Sequence, residues 1–584
     1  MKMVIGVGAI IAATLWSYQE TINNSFVWDT KDYLFTHGFW ISRMSIHHII
    51  WMFLSLEVSN WHPLTWLSWA IDYQLYGGLA PWGYHLSNNI LHALNSVLVY
   101  VATLVVLGLN DSKSLSFPIR TDNHALIAAF IAALLFAVHP QHVESVAWVA
   151  ERKDLLCQLF LLSSFLTYVG FVTCQNDARS LWRGGALSLF ILAAMSKPMA
   201  VTFPAVLLLI DVFPLRRLKL LRPVDDSIAQ LSIYDLIREK IPFFLVSIFL
   251  VLITIHAQQG ALSNIPLDLR ILNASNSIIF YLTKLLIPLN FMPFYPYFIG
   301  ANEVISINHY VPLFCILGIT MAGVLAWVKG YPAWLVAWLF YLITLSPVLG
   351  LIQVGLQGAA DRYAYFPTLP VYFLIGSGVL AALDRTNLPK KILLLFSLLS
   401  LSYFLADKTI GQTKVWKNDY VLWTYALKYD PENFVAHMNL GTSYLTDSDY
   451  KKAILHFEKG RILRPNQVDV FAWIGLAYMQ EGRYEEAITS HINLGIASES
   501  LPQLNADQFC IQYNIGWLYA NLGMFAESSD LFSRVGKGSS IGAGADTWLD
   551  WIGNTSDPTA EMAASSGLPG FCKTLIPAMK TASS

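Results

Sequence analysis

Residues 155–173 run for nineteen positions without a charge, and eleven other apolar segments recur through the first 406 residues, at 3–19, 86–109, 125–138, 185–195, 199–213, 241–257, 275–289, 311–328, 333–347, 363–383 and 392–406. About 20 apolar residues in a helix cross a hydrocarbon core, and a spanning chain must satisfy its backbone hydrogen bonds internally. The series therefore dictates an all-α fold, a polytopic membrane helix bundle. Composition agrees: 13% of residues are charged and 55% hydrophobic, against about 25% charged in soluble chains. A formal charge of -2 excludes a nucleic-acid partner, which would require a basic face.

Short loops carrying Lys and Arg set the orientation. With Lys2 cytoplasmic, the loops holding Lys113 and Arg120, Arg179 and Arg183, Arg216, Arg217, Lys219 and Arg222, Lys329, and Arg385, Lys390 and Lys391 fall on the same side. A large first loop, 20–84, then lies outside together with 139–154, 196–198 and 358–362. Alternation closes at eleven crossings if 275–289 dips into the external face without crossing. Everything after residue 406 is then placed on the non-cytoplasmic side.

Beyond Asp407 charge rises and a 34-residue period begins: Leu440-Gly441, Tyr444, Tyr450, Ala453 and Phe457 recur as Ile474-Gly475, Tyr478, Tyr484 and Ala487, and after a seven-residue insertion as Ile515-Gly516, Tyr519, Phe525 and Phe532. Small residues where helices cross, with aromatics between them, form the tetratricopeptide pattern. The expected domains are a membrane domain 1–406, about three repeats with a leading half repeat over 407–542, and a loosely ordered end 543–584 rich in Gly, Ser, Ala and Pro. Cys157, Cys174 and Cys315 read as buried hydrophobes, whereas Cys510 and Cys572 in the tail are open to pairing or to remaining free thiols.

Chemistry concentrates in HPQHVESVAWVAERKD, residues 139–154. Five charges, Glu144, Glu151, Arg152, Lys153 and Asp154, fall within eleven residues between apolar runs. Each charge costs roughly 2.5–3.5 kcal/mol at a bilayer centre, so the segment must line an interface or a polar cavity, as a loop at the mouth of two helices. Pro140 fits a first helical turn, Glu144 follows near its N-terminal end, and Glu144 and Glu151, seven apart, share a face. Arg152 and Lys153 suit a phosphate; an interfacial loop with solvated or mutually paired charges fits the same density. Lys197, and Asp361 with Arg362, stand at the same external level. In the first loop, Asp29 and Asp32 are carboxylates near a membrane exit, where partial desolvation favours a general base. By spacing alone an ordinary solvated loop acid is the simpler reading. His85, Asn88, His92 and Asn95 form one helix stripe and read as interhelical hydrogen-bonding groups, with no metal expected.

His139-Pro140-x-His142-x-Glu144-x-Val146-Ala147 followed by Arg152-x-Asp154-Leu155-Leu156 resembles the second external loop of the transmembrane and tetratricopeptide-repeat-containing O-mannosyltransferases and their bacterial relatives. NWHPLTWLSWAIDYQLYG, HLSNNILHALN, Ser196-Lys197 and DRYAYFPTLP resemble further stretches of that family. The resemblance implies a GT-C glycosyltransferase that takes a sugar from a polyprenyl-phosphate donor, inverting at the anomeric carbon, and passes it to a protein or other hydroxyl acceptor on the non-cytoplasmic side of a bacterial inner membrane. It implies Asp29 or Asp32 as base, Glu144 as the second acid, Arg152, Lys197 and Arg362 toward the donor phosphate, and His62, His139, His142, Asp154 and Asp361 in support. No cofactor or metal is implied, and the repeats would present the acceptor. Thr30 and Lys31 stand where further acids are common, and Pro198 replaces the Glu of animal members. The alternative from another class is a non-catalytic membrane scaffold whose repeats recruit partner proteins.

Overall fold

A computed structural model describes residues 1–109, 118–174, 177–219, 229–258, 265–299, 305–351, 357–465, 467–498, 505–534 and 540–554. Lys113 and Arg222 of the orientation argument, Cys572, and 555–584 of the expected loose end lie outside them. The described residues are mostly helical, with one two-stranded sheet that pairs Tyr295–Pro296 antiparallel with Gln357–Ala359. It divides into two compact units after Asn418. The boundary expected at residue 406 falls inside the helix Leu388–Thr413, which runs through the change in composition without a break.

Among the described residues of the first unit five helices are long and apolar enough to span: Pro81–Leu109, Val149–Thr173, Ile233–Ala257, Ile307–Val328 and Leu388–Trp416; Asn123–Ala137 with Pro140–Ala147, bent by 49°, makes six if the pair is one span. Lys2–Ser17, Pro198–Val212 and Pro332–Val348 are apolar but shorter. The chain is an integral membrane protein; among the described residues fewer helices reach spanning length than the eleven crossings expected. The segment expected to dip belongs to the continuous helix Leu267–Leu286, interrupted in hydropathy by Asn273, Ser275, Asn276 and Ser277. Burial sorts the spans: 61% of the Pro81–Leu109 window is buried, against 6% for Ile307–Val328. The first is a central helix and the second presents its apolar surface outward.

The central helix is also the polar one. His92 Nε2 meets Ala137 O at 3.0 Å, Asn88 Nδ2 donates to Val146 O at 3.0 Å and Asn95 Nδ2 to Leu155 O at 2.9 Å. Ala137 and Val146 end helical segments, where carbonyls lack intrahelical partners. The stripe read as interhelical hydrogen-bonding groups thus staples the broken segment 137–147 to the core.

A second ionic cluster lies toward the far end of Arg152–Thr173. Tyr168 Oη donates to Asp211 Oδ1 and Oδ2 at 2.7 and 2.9 Å, Arg217 forks onto Glu239 at 2.8 and 2.9 Å and reaches Asp211 at 3.0 Å, and Lys240 binds both acids. Arg217, expected as a cytoplasmic loop cation, is 1% exposed.

The second unit is a series of helical hairpins: a leading helix Asp419–Tyr429, then Phe434–Thr446 with Tyr450–Leu463, Val468–Gln480 with Tyr484–Ser498, and Asn505–Asn521 with Phe525–Arg534. At Gly441 an added Cβ would meet Phe457 at 2.6 Å, and at Gly516 it would meet Phe532 at 3.1 Å, so glycine is what lets the paired helices approach. A further helix, Ser540–Asn554, caps the series where a loosely ordered end was expected; Trp548 stacks on Phe532 at 5.7 Å and supplies the apolar anchor that the Gly- and Ser-rich composition concealed.

Candidate functional site

The broken helix shapes the site. Pro140 lacks the N–H that would continue Asn123–Ala137, and His139 caps the new turn, its Nδ1 accepting from Gln141 N at 3.2 Å while Nε2 reaches Leu285 O at 3.0 Å. His142 Nδ1 lies 2.9 Å from Phe136 O. Both histidines hold the break in place. The segment is not an open loop at a mouth: every residue from 131 to 152 is buried. Nor do Glu144 and Glu151 share a helical face, because Trp148 is extended between Val143–Ala147 and Val149–Glu151.

What joins the two acids is Arg362. Its Nη1 pairs with Glu144, its backbone N–H donates to Glu144 Oε2 at 2.9 Å, and its Nε lies 3.3 Å from Glu151 Oε1. Glu151 also holds Lys153 at 3.1 Å and Lys197 at 3.0 Å, and Lys197 reaches Asp154 at 2.6 Å. Three carboxylates and three cations thus form one chain of buried ion pairs. Removing a member would leave the chain of pairs with a net charge in low dielectric. Asp361 lies beside it: its Oδ2 accepts from Tyr295 Oη at 2.8 Å, and burial, reinforced by Glu144, pushes its carboxyl well above the ordinary range. The Tyr295–Pro296 and Gln357–Ala359 pairing delivers this loop, and Gln357 accepts from Arg362 Nη2 at 2.9 Å.

Arg152 departs from the arrangement expected of it. It pairs with Asp72 at 2.5 Å and donates to Asn88 Oδ1 and Tyr84 O at 2.7 Å each and to Ser68 O at 3.4 Å. Three hydrogen bonds and the ion pair engage the guanidinium, so this cation ties the helices Pro63–Leu75 and Pro81–Leu109 to its own.

The first loop closes over the cluster through aromatic stacking. Trp28 lies against Trp148 with ring centroids 4.5 Å apart and planes 5° apart, and it adopts a φ of 51°, a conformation disfavoured for so bulky a residue. Thr30 Oγ1 accepts from Ala150 N at 3.3 Å, one residue from Glu151. Trp148 carries Arg362 on its ring at 5.2 Å. Asp29 therefore sits between two residues that touch the 148–150 segment, half-buried, and Asp32, also half-buried, opens the turn Asp32–Thr36. Burial raises the Tyr33 phenol; Lys153 opposes that shift, while Asp29 and Glu151 add to it, so all three charges act on one side chain.

His62 joins the loop to the cluster. Its ring packs against Tyr33 and Trp66 at 5.5 and 5.4 Å, and burial, then the nearby Lys153, lower it to about 3, so it is neutral at ordinary pH. The Pro63–Leu75 helix that follows is tied to the Lys197 step by Leu64 N to Met195 O at 3.2 Å and Thr65 Oγ1 to Ser196 O at 3.3 Å.

The structure thus gathers Glu144, Asp154, Lys197, Arg362, Asp361 and His62, brings the Asp29 segment against them, and assigns Arg152, His139 and His142 to scaffolding. Sequence reasoning understated Glu151, the hub, although its place in the charged run was the available signal. It missed Trp148 and Tyr295, which carry no sequence signal beyond aromatic character. Among the described residues no three His, Cys, Asp or Glu side chains converge as metal ligands do.

Comparison with known proteins follows the motifs. A tetratricopeptide-repeat family model matches residues 468–490. The chain is similar to the protein O-mannosyl-transferase TMTC3 of Mus musculus, 25% identical over 508 residues that cover 81% of this chain and 50% of the relative. It is also similar to the protein O-mannosyl-transferase TMTC4 of Homo sapiens, 37% identical over 182 residues, 29% of this chain and 22% of the relative. The Tmtc2 protein of Drosophila melanogaster, of the same description, is 33% identical over 156 residues, 26% of this chain and 15% of the relative. The chain spans about half the length of TMTC3, and smaller shares of the other two.

Proposed function

We propose that this integral membrane protein is a glycosyltransferase that moves a sugar from a polyprenyl-phosphate donor to a hydroxyl of a protein acceptor on the non-cytoplasmic side of a bacterial inner membrane. The observation that carries the reading is the Trp28–Trp148 stack, which sets the half-buried Asp29 against a buried chain of three cations and three carboxylates. The relatives named as protein O-mannosyl-transferases support the same reaction class, with the sugar left to experiment.

In this scheme Asp29, or Asp32 one turn away, accepts the proton of the acceptor hydroxyl. The freed oxygen attacks the anomeric carbon as the bond from that carbon to the phosphate oxygen breaks; the electron pair leaves with the polyprenyl phosphate, and the configuration inverts. Lys197 and Arg362 hold the developing phosphate charge in a site from which water is excluded, where fixed cations act strongly. Glu144 sets the Arg362 fork, Glu151 and Asp154 set the Lys197 ammonium, and neutral His62 and Asp361 border them. The scheme takes no metal or cofactor.

The repeats suit presentation of the acceptor protein. The distribution of loop cations fits placement of the repeats on the non-cytoplasmic side. The scaffold alternative keeps the repeats and discards the chemistry. Purified protein supplied with polyprenyl-phosphate sugars and hydroxyl acceptors separates the two, with Asp29→Asn, Asp32→Asn and Glu144→Gln alongside. Transfer by the unaltered chain, lost on changing one of the two aspartates, supports the enzyme; no transfer to any acceptor, or equal transfer by all four proteins, overturns it.

A further inference from the structure

We propose that the short helix Ile46–Leu54 is an interfacial element seated on the lipid bilayer, its outward stripe sunk among headgroups and the first methylenes of the acyl chains. Ile46, Ile50 and Leu54 recur four apart on one face and are 72%, 50% and 74% exposed, while His48 and Met52 are buried on the other. A helix on a water-facing surface turns its polar side outward, and this one turns its apolar side outward. Phe39 and Met44, just before it, are exposed as well, and the exposed Arg43 beside them suits an anionic headgroup.

A second, independent feature identifies lipid as what covers this face. Trp61 Nε1 donates to Phe53 O at 2.9 Å, fastening it to the end of the helix, and its ring packs edge-on against Phe249 at 5.8 Å. Phe249 belongs to Ile233–Ala257, a helix of spanning length with only 22% of its window buried, which exposes Leu245, Ile248 and Leu252 on its surface. The apolar stripe of the first loop is therefore continuous with a lipid-facing span through a tryptophan, the residue type that favours the membrane boundary. A cleft of ≈ 450 Å³ opens beside the stripe, walled by Trp40, Ile50, Trp51 and Leu54 with His47 and Glu57 at its polar edge, so its apolar wall continues the same surface. Anchoring the loop in this way would hold the segment that carries Asp29 and Asp32 at a fixed depth.

The test places the photoreactive residue benzoylphenylalanine singly at positions 46, 50 and 54 of the full chain, in nanodiscs of phosphatidylethanolamine and phosphatidylglycerol, with adducts read by mass spectrometry. Position 252 serves as the lipid-facing reference, and position 455, in the repeat helix Tyr450–Leu463 and 60% exposed, as the water-facing one. All three test side chains already point outward, so the probe displaces no core packing. Phospholipid adducts at 46, 50 and 54 approaching the yield at 252 are expected. Yields at the level of 455, or adducts joining two copies of the chain in place of lipid, would overturn the proposal.

Discussion

Two buried ionic clusters mark opposite ends of the helix Arg152–Thr173, with Asp154 and Tyr168 separated by about 21 Å at 1.5 Å per residue. They use the same residue types and differ in how they are connected. In the Asp211–Arg217–Glu239–Lys240 cluster each acid meets both cations, a closed arrangement that completes itself within three neighbouring segments. In the Glu144–Arg362–Glu151–Lys197–Asp154 cluster the pairs run as a chain, drawn from 144–154, 197 and 361–362, with the half-buried Asp29 brought against it by stacked tryptophans. A closed cluster satisfies its own charges and ties helices together. A chain with reactive neighbours can exchange one of its carboxylate partners for a substrate phosphate. Both balance carboxylates with cations one for one; connectivity is what separates a staple from a site.

The contrast can be broken by substitution. Arg217→Met strips Asp211 and Glu239 of their shared fork and is expected to cost about 3–5 kcal/mol of stability, read as a fall in the thermal unfolding midpoint in nanodiscs, while protein that remains folded keeps its transfer rate. A smaller effect is expected from Arg362→Lys, which keeps the charge but loses the fork that spans Glu144 and Glu151: transfer falls about 10²-fold with a lesser change in midpoint. The smallest effect concerns acid. His62 titrates at about 3 in the fold against 6.5 in the open chain, so on acidification the unfolded chain takes up the proton first and stability is lost as pH falls below 6.5. The loss comes to roughly 2 kcal/mol by pH 5. His62→Phe retains the aromatic packing and should remove that share of the loss; an unchanged curve would exclude His62 as a contributor. The closed cluster contains no histidine and should show no such dependence.

Much of this was legible in the residues because the responsible physics is local. Apolar runs, the 34-residue recurrence around Gly441 and Gly475, and the helix break at His139-Pro140 depend on spacing and on one missing N–H. Partner choice does not. Arg152 and Arg362 look equally suited to a phosphate in sequence, and only the fold gives Asp72 and Asn88 to the first and Glu144 and Glu151 to the second. Arg217 reads as a loop cation because its burial depends on Asp211, Tyr168 and Glu239 arriving from other segments. The Trp28–Trp148 contact, 120 residues apart in the chain, leaves no trace in local pattern.

The most direct measurement pairs one variant from each region. Asp29→Asn and Arg217→Met are each assayed for sugar transfer per folded molecule and for unfolding midpoint. Asp29→Asn should lower transfer by about 10²–10⁴-fold with the midpoint unchanged, as removal of a general base does. Arg217→Met should do the reverse. If Asp29→Asn transfers at the unaltered rate, or if both variants lose transfer only in proportion to lost stability, the division of the two clusters into site and staple is contradicted.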